Sequence, residues 1–225
     1  MWCVAKLDEE YVTKMEDVLA LYEKPYEPQE PVVCLDEKPV SLHAEVRQPI
    51  AVAPGRAAKR DSEYQRCGTA NVFCAVEAKA GRHFTWPTPA RSGPEFAKVI
   101  RALVGHYPWA RRIHLVLDNL NIHCRKSLTD SFGPKAGGRL WRRLKFHHTP
   151  KHGSWLNQAE IEISLFSRQC LGRRRIGDLA TLIGQARAWN RRTNQDHVTI
   201  QWKFDRKAAR RTFGYSKNLF MRSKN

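Results

Sequence analysis

Val32-Val33-Cys34-Leu35-Asp36-Glu37 and Ile113-His114-Leu115-Val116-Leu117-Asp118-Asn119 decide how this chain is read. Each is a short apolar run that ends abruptly in a carboxylate. Such runs read as strands buried on both faces. An acid directly after a buried strand is held by a rigid element and still reaches solvent. Two such acids on neighbouring strands repel each other unless a cation neutralises them. Mg²⁺ takes hard oxygen ligands and keeps waters that a substrate phosphate can replace. Two ions about 4 Å apart can serve both the attacking and the leaving oxygen of a phosphodiester. The plain alternative is that each Asp caps a turn, since Asp-Asn after a strand is also a turn signal. The two runs alone leave both readings open.

Working outward, Val12, Met15, Leu19 and Tyr22 recur at helical spacing, and Pro25, Pro28 and Pro31 then break the chain into a linker. Residues 38–66, rich in Pro, Arg and Gly, read as irregular. Thr69–Val76 and Arg82–Trp86 read as strands joined by a turn at Ala80-Gly81, and Pro94 opens a helix to about Val104. Gly133, Pro134, Gly137 and Gly138 predict a loop. Leu144–His148 reads as a strand, Gln158–Leu171 as a helix, and Asp178–Asn190 as another. The order predicts an α/β fold with a central mixed sheet flanked by helices. In such sheets chemistry gathers at strand ends.

The third acidic candidate lies in Asn157-Gln158-Ala159-Glu160. This fits a capping box with Asn157 as N-cap and Glu160 at N3, and Leu156 and Ile161 would form the hydrophobic staple. On local grounds Glu160 closes its own helix. Glu162 points about 200° around the helix from Glu160, so the two cannot serve one site equally.

Composition narrows the partner. The 225 residues suit one substantial domain, and the 42% hydrophobic content suits a packed core. No apolar run approaches the roughly 18–20 residues of a membrane span, and Met1–Glu10 lacks the apolar segment of a signal peptide. None of the six cysteines forms a Cys-x-x-Cys pair, so buried thiols are expected rather than zinc or disulfides. The net charge is +17, but residues 1–37 hold three Lys/Arg against ten Asp/Glu, while residues 163–225 hold fifteen against three. A basic C-terminal third fits a phosphate backbone.

Three blocks then resemble one family. They are Val33–Pro39, Leu115–Asn119 with His123, and Thr149-Pro150-Lys151-His152-Gly153-Ser154-Trp155-Leu156-Asn157-Gln158-Ala159-Glu160. Together they are similar to the insertion sequence 630 transposases, a bacterial branch of the mariner superfamily. Asn194-Gln195 and Trp202-Lys203-Phe204 resemble the family's closing segment, so the likeness spans about residues 2–213. It implies a ribonuclease-H-like fold and a catalytic site of three acids, Asp36, Asp118 and Glu160, holding two Mg²⁺ or Mn²⁺ ions. That reverses the local reading of Glu160 and leaves Glu162 as runner-up. Gln158 stands where the family typically has proline, and the gap of 41 residues between Asp118 and Glu160 is longer than in the animal relatives.

The resemblance further implies cleavage at transposon ends, strand transfer of the freed 3′-OH into target DNA, and a homodimer on double-stranded DNA in a bacterial cytoplasm. The expected organisation is an N-terminal helix and linker (1–31), a catalytic domain (32–192) and a basic tail (193–225). Lys151, His152, Arg173, Arg174 and Arg175 are candidate DNA contacts, and His123 is a candidate for orienting the second block. The family reads its ends with helix-turn-helix modules. The acidic stretch before residue 32 offers none, so an upstream-encoded half is expected, or else a degraded gene. Two rivals remain: a nuclease of the same fold that never joins strands, and an inactive DNA-binding remnant.

Overall fold

The computed structural model describes residues 7–216; both ends of the chain, including the last nine residues of the expected basic tail, lie outside them. A helix, α1 (Glu9–Glu23), opens the described chain, and Asp8 caps it by accepting from the Tyr11 N–H at 2.8 Å. Five strands follow: β1 (Val32–Glu45), β2 (Tyr64–Glu77), β3 (Arg82–Thr88), β4 (Ile113–Leu117) and β5 (Leu144–His148). They lie side by side in the order β3-β2-β1-β4-β5. The β1–β2 and β2–β3 pairs are antiparallel, and β1–β4 and β4–β5 are parallel. This is the mixed sheet the element order predicts.

Both faces of the sheet are covered. Helix α2 (Gly93–Gly105) and helix α3 (Arg125–Arg142) pack over Val33, Leu35, Phe73, Ala75, Leu115 and Leu117. On the other face Cys34, Val76 and Val116 meet α1 and the start of α4 (Ala159–Phe166). Val72 and Cys74 meet the end of α4, the π-type turn Ser167–Leu171 and α5 (Leu179–Gln195). A last helix, α6 (Arg206–Phe213), leans on α1 through the pairs Arg206–Glu23 and Arg210–Glu16. Successive side chains of a strand alternate between faces, so β1 sends Leu35 to one core and Cys34 and Asp36 toward the other.

Two expectations need correction. The segment 38–66 is not irregular throughout: β1 continues to Glu45 and β2 begins at Tyr64, with a bulge between Ser41 and His43. Pro39 made the stretch look broken. Beyond Cys34, however, β1 pairs only with β2, so the N–H that Pro39 lacks would have faced an open edge. The glycine-rich stretch Gly133–Gly138 is likewise not a loop but part of α3, which reverses at Gly133 (φ 79°, ψ 161°). Its second piece folds onto the first at Gly137, where a Cβ would stand 2.5 Å from the Leu128 carbonyl oxygen. Those glycines serve a chain reversal and a close backbone contact, tasks that composition does not separate from a loop.

Candidate active site

The parallel pairing of β1 and β4 ends with Cys34 opposite Val116. Continued two residues further, the same register brings Asp36 level with Asp118 on the face that α4 covers. Both carboxylates are fixed locally. Asp36 Oδ1 accepts from the Glu37 N–H at 2.8 Å, and Asp118 Oδ1 accepts from the Leu120 N–H at 3.0 Å. Asp118 is half-exposed, its side chain retaining 47% accessibility, so it can still meet a substrate.

Helix α4 supplies the third acid, and its start is tied to the strand that bears the first. Asn157 Nδ2 donates to the carbonyl of Leu35 at 2.9 Å, while its Oδ1 accepts from the Ala159 N–H at 3.1 Å. One buried amide thus joins the residue before Asp36 to the residue before Glu160. Tyr22 of α1 donates its hydroxyl to the Leu156 carbonyl at 2.8 Å, from beneath the same turn. The expected capping box does not form. The N-cap is Gln158, with no side-chain bond to the helix, so Glu160 falls at N2 and its side chain is exposed. Of the expected staple pair, Leu156 is buried and Ile161 is 37% exposed. Gln158 has φ −63°, the angle of a proline ring, so its backbone suits the residue the family typically has there.

The charges of the other two acids act on Asp36. Burial pushes Asp36 up from the usual carboxylate range to about 7, and the charges of Glu37, Glu160 and Asp118 add to the rise. Asp118 is held low, first by a hydrogen bond from His123 and then by the Leu120 N–H and the charge of Arg91, against its burial. His123 is the brace between the two strands. Its Nε2 lies 2.8 Å from Glu37 Oε1 and its Nδ1 lies 3.1 Å from Asp118 Oδ1. Burial opposes its charge, yet those two carboxylates lift it to about 9. Glu37, Asp118 and His123 form a cluster whose ligand atoms all lie within 4.8 Å of one another. The sequence flagged His123 but not Glu37 or Arg91. The only signal for Glu37 was its place directly after Asp36 on a strand, which turns it to the opposite face.

Glu162 sits elsewhere. It is buried under α4, 2.7 Å from His83 Nδ1 of β3, while His83 Nε2 meets the Val198 carbonyl at 2.9 Å. Burial alone would strip His83 of its charge, but Glu162 raises its pKa. Glu162 anchors the rear of the helix whose front carries Glu160.

Among the candidate DNA contacts, Lys151 and His152 are exposed on the turn between β5 and α4, His152 at φ 61°. Arg173 and Arg174 are exposed as well, on the other side of α4. The guanidinium of Arg175 is engaged internally, with Glu45 and the carbonyls of Asp61, Ser62 and Glu63.

Asp118 follows the end of β4, but Asp36 does not stand at a strand end as expected: it lies inside β1, just past the point where its parallel pairing with β4 stops, and such carboxylates offer the hard oxygen donors that Mg²⁺ or Mn²⁺ prefers. The family comparison then decides the kinship, because the model for DDE superfamily endonucleases matches residues 31–183. The chain belongs to that family. No curated protein sequence matches this DDE endonuclease. Among solved structures it is similar to the Mos1 mariner paired-end complex with Mn, at 14% identity and TM-score 0.55, with 88% of this chain and 61% of that chain covered. A Mos1 transposase paired-end complex with left transposon end gives 14% identity and TM-score 0.54 over the same shares. The Mos1 strand transfer complex gives 13% and 0.52, covering 87% of this chain and 61% of that one. At such identities the likeness establishes the fold, which is ribonuclease-H-like as the family resemblance implied. The DDE endonuclease spans less than two thirds of the length of those Mos1 chains. No helix among the described residues is long and apolar enough to cross a membrane.

Proposed function

We propose that this chain is the catalytic domain (residues 32–192) of a DNA transposase of the insertion sequence 630 type. The observation that carries the reading is the convergence of Asp36, Asp118 and Glu160, one acid from each of the three motif blocks. Electrostatic coupling of Asp36 to the other two supports that convergence. The substrate is double-stranded DNA, first at transposon ends and then at a target. Its cofactor is Mg²⁺ or Mn²⁺, two ions in all, and one of the Mos1 complexes of this fold was solved with Mn.

The carboxylates fit the cofactor on their own chemistry. Burial and like charge leave the ionised form of Asp36 short of a counter-charge, which a bound cation would supply. When bound, divalent cations supply the Lewis acidity that activates the attacking oxygen and stabilises the leaving one. Asp36 inside β1 and Asp118 just past β4 would hold the cations, and Glu160 would complete the set from α4. His123 fixes the rotamer of Asp118 and ties it to the β1 backbone through Glu37. Asn157 fixes the distance from β1 to α4. Exposed Lys151, His152, Arg173 and Arg174 are the proposed contacts for the DNA backbone. No protein nucleophile is required, since water attacks in the first step and a DNA 3′-OH in the second.

A homodimer on DNA and an upstream-encoded helix-turn-helix half complete the proposal. Supplied with pre-cleaved duplex ends, a plasmid target and Mg²⁺, the protein should join the 3′-OH ends to the plasmid. Nicking without joining would favour the nuclease without strand transfer. Neither nicking nor joining, with DNA still bound, would favour the inactive remnant.

A further inference from the structure

The cleft between α2 and α3 is lined by Arg101, Arg139, Arg142 and Arg143 around an apolar floor that includes Val104, Phe132 and Leu140. It holds about 750 Å³, and no carboxylate lines it among the described residues. The reversal of α3 at Gly133 draws in a fifth arginine. Gly138 sits between Arg125 Nη2 and Arg142 Nη1, which lie 3.7 and 3.8 Å from where its Cβ would stand. Arg125 is the first residue of α3 and follows His123 by two, so the cluster reaches back toward the acids.

Two of these arginines have partners that leave charge unanswered. Arg143 donates through Nη2 to the carbonyls of Tyr107 and Ala110, and Arg101 lies 4.5 Å over the ring of Phe132. Stacking uses the face of a guanidinium and leaves its N–H edge for an acceptor. No ion pair involves any of the five among the described residues. The C-terminal third, whose charge excess pointed to DNA in the sequence, behaves differently: Arg175, Arg206 and Arg210 are paired with Glu45, Glu23 and Glu16. Acidic α1 thus takes up two charges of the basic C-terminal region, Arg206 and Arg210, whereas the arginines of the α2–α3 cleft have no carboxylate partner among the described residues. Like charges gathered without counter-charge repel, and a bound polyanion relieves that repulsion.

We infer that this cleft binds the sugar–phosphate backbone of duplex DNA, at a surface separate from the reacting phosphodiester. The inference rests on the proposed reading that DNA is the substrate. The Arg143 carbonyl accepts from the Ile113 N–H at the start of β4, and Asp118 follows the end of that strand. Arg143 therefore lies at the end of β4 away from Asp118, on the face that α2 and α3 cover, so the cleft is a surface apart from the acids. Two or three phosphates fit the guanidinium groups there.

The test compares wild type, the triple variant Arg101→Gln/Arg139→Gln/Arg142→Gln and the matching triple Lys variant. Fluorescence anisotropy with a random-sequence duplex is recorded over a range of NaCl concentrations in EDTA, so that no cleavage contributes. The Gln variant should bind at least tenfold more weakly near physiological salt. Its log–log salt slope should be shallower by about 2.7, or 0.9 for each of three phosphates lost. The Lys variant should keep the slope, and unchanged melting curves would verify that all three fold. A Gln variant with wild-type affinity and slope overturns the inference. So does loss of self-association by the Gln variant, in sedimentation without DNA, while its DNA slope stays unchanged; the cleft would then hold an acidic protein face. Because the assay reads no chemistry, failure here leaves the three-acid site standing. Failure of strand transfer with the slope change intact would sink the activity alone.

Discussion

Glu160 and Glu162 stand two residues apart on α4 and lead opposite lives. Glu160 is exposed and adds its charge to the burden on Asp36. Glu162 is fully buried against His83, and its Oε1 finds no partner. The same residue type, half a helical turn around, is either a free ligand or an anchor. The front of α4 is therefore kept short of hydrogen bonds while its rear is locked to β3. A ligand that must meet a cation gains from an open coordination sphere, and a helix that carries it gains from a fixed rotation.

Breaking each glutamate separately gives the largest contrast. Glu160→Gln should lower cleavage by roughly a thousandfold, as losses of transition-state stabilisation do, with an unchanged melting temperature. Glu162→Gln should keep cleavage within tenfold but cost about 1–3 kcal/mol of stability, the scale for leaving a buried polar partner unsatisfied. Rates from single-turnover nicking and midpoints from denaturant melts would show both. A dead, stable Glu162→Gln protein beside an active Glu160→Gln protein would exchange the roles assigned here.

A smaller effect is expected at Asn157, which spans the two sides of the comparison. Asn157→Ala removes the bridge from Leu35 to Ala159, and cleavage should fall about 10–100-fold, the usual range for partners that orient ligands. Raising the cation concentration should recover part of that loss, since the variant retains all three acids. Loss that no cation concentration restores would make Asn157 a merely structural residue.

The smallest effect is thermodynamic. The folded-state pKa of Asp36, about 7, lies above its ordinary value of 3.8. Its proton is thus held more tightly in the fold, and this contribution to stability is lost as pH rises from about 4 to 7. A cation that neutralises the cluster should therefore raise the melting temperature more at pH 7.5 than at pH 5. At a hundredfold excess over its Kd the gain is about 2.7 kcal/mol. Asp36→Asn should flatten this pH dependence. An equal Mg²⁺ shift at both pH values would separate Asp36 from the cation site.

The sequence disclosed the front of the site better than its supports. Asp36 and Asp118 stood out because each directly follows a short apolar run; the run marks the end of β4 at Asp118, but β1 continues past Asp36 to Glu45. Glu160 did not stand out locally, because Asn157-x-x-Glu160 imitates a capping box; the match of all three blocks was needed to assign it. In the structure the helix begins one residue late and Asn157 turns its amide to β1, a long-range bond that no local pattern encodes. His83 lies 79 residues from Glu162 and joins it only through tertiary packing. The arginine cleft was hidden for a related reason. Charge counted along the chain favours the C-terminal third, but only the fold shows which of those charges α1 has already cancelled.

Whether the acids on β1 and just past β4 do chemistry is tested most directly by the rate of Mg²⁺-dependent cleavage of duplex DNA by Asp118→Ala. The prediction is cleavage indistinguishable from a protein-free blank, in a protein that melts like the wild type and still binds duplex. Cleavage at the wild-type rate would contradict it.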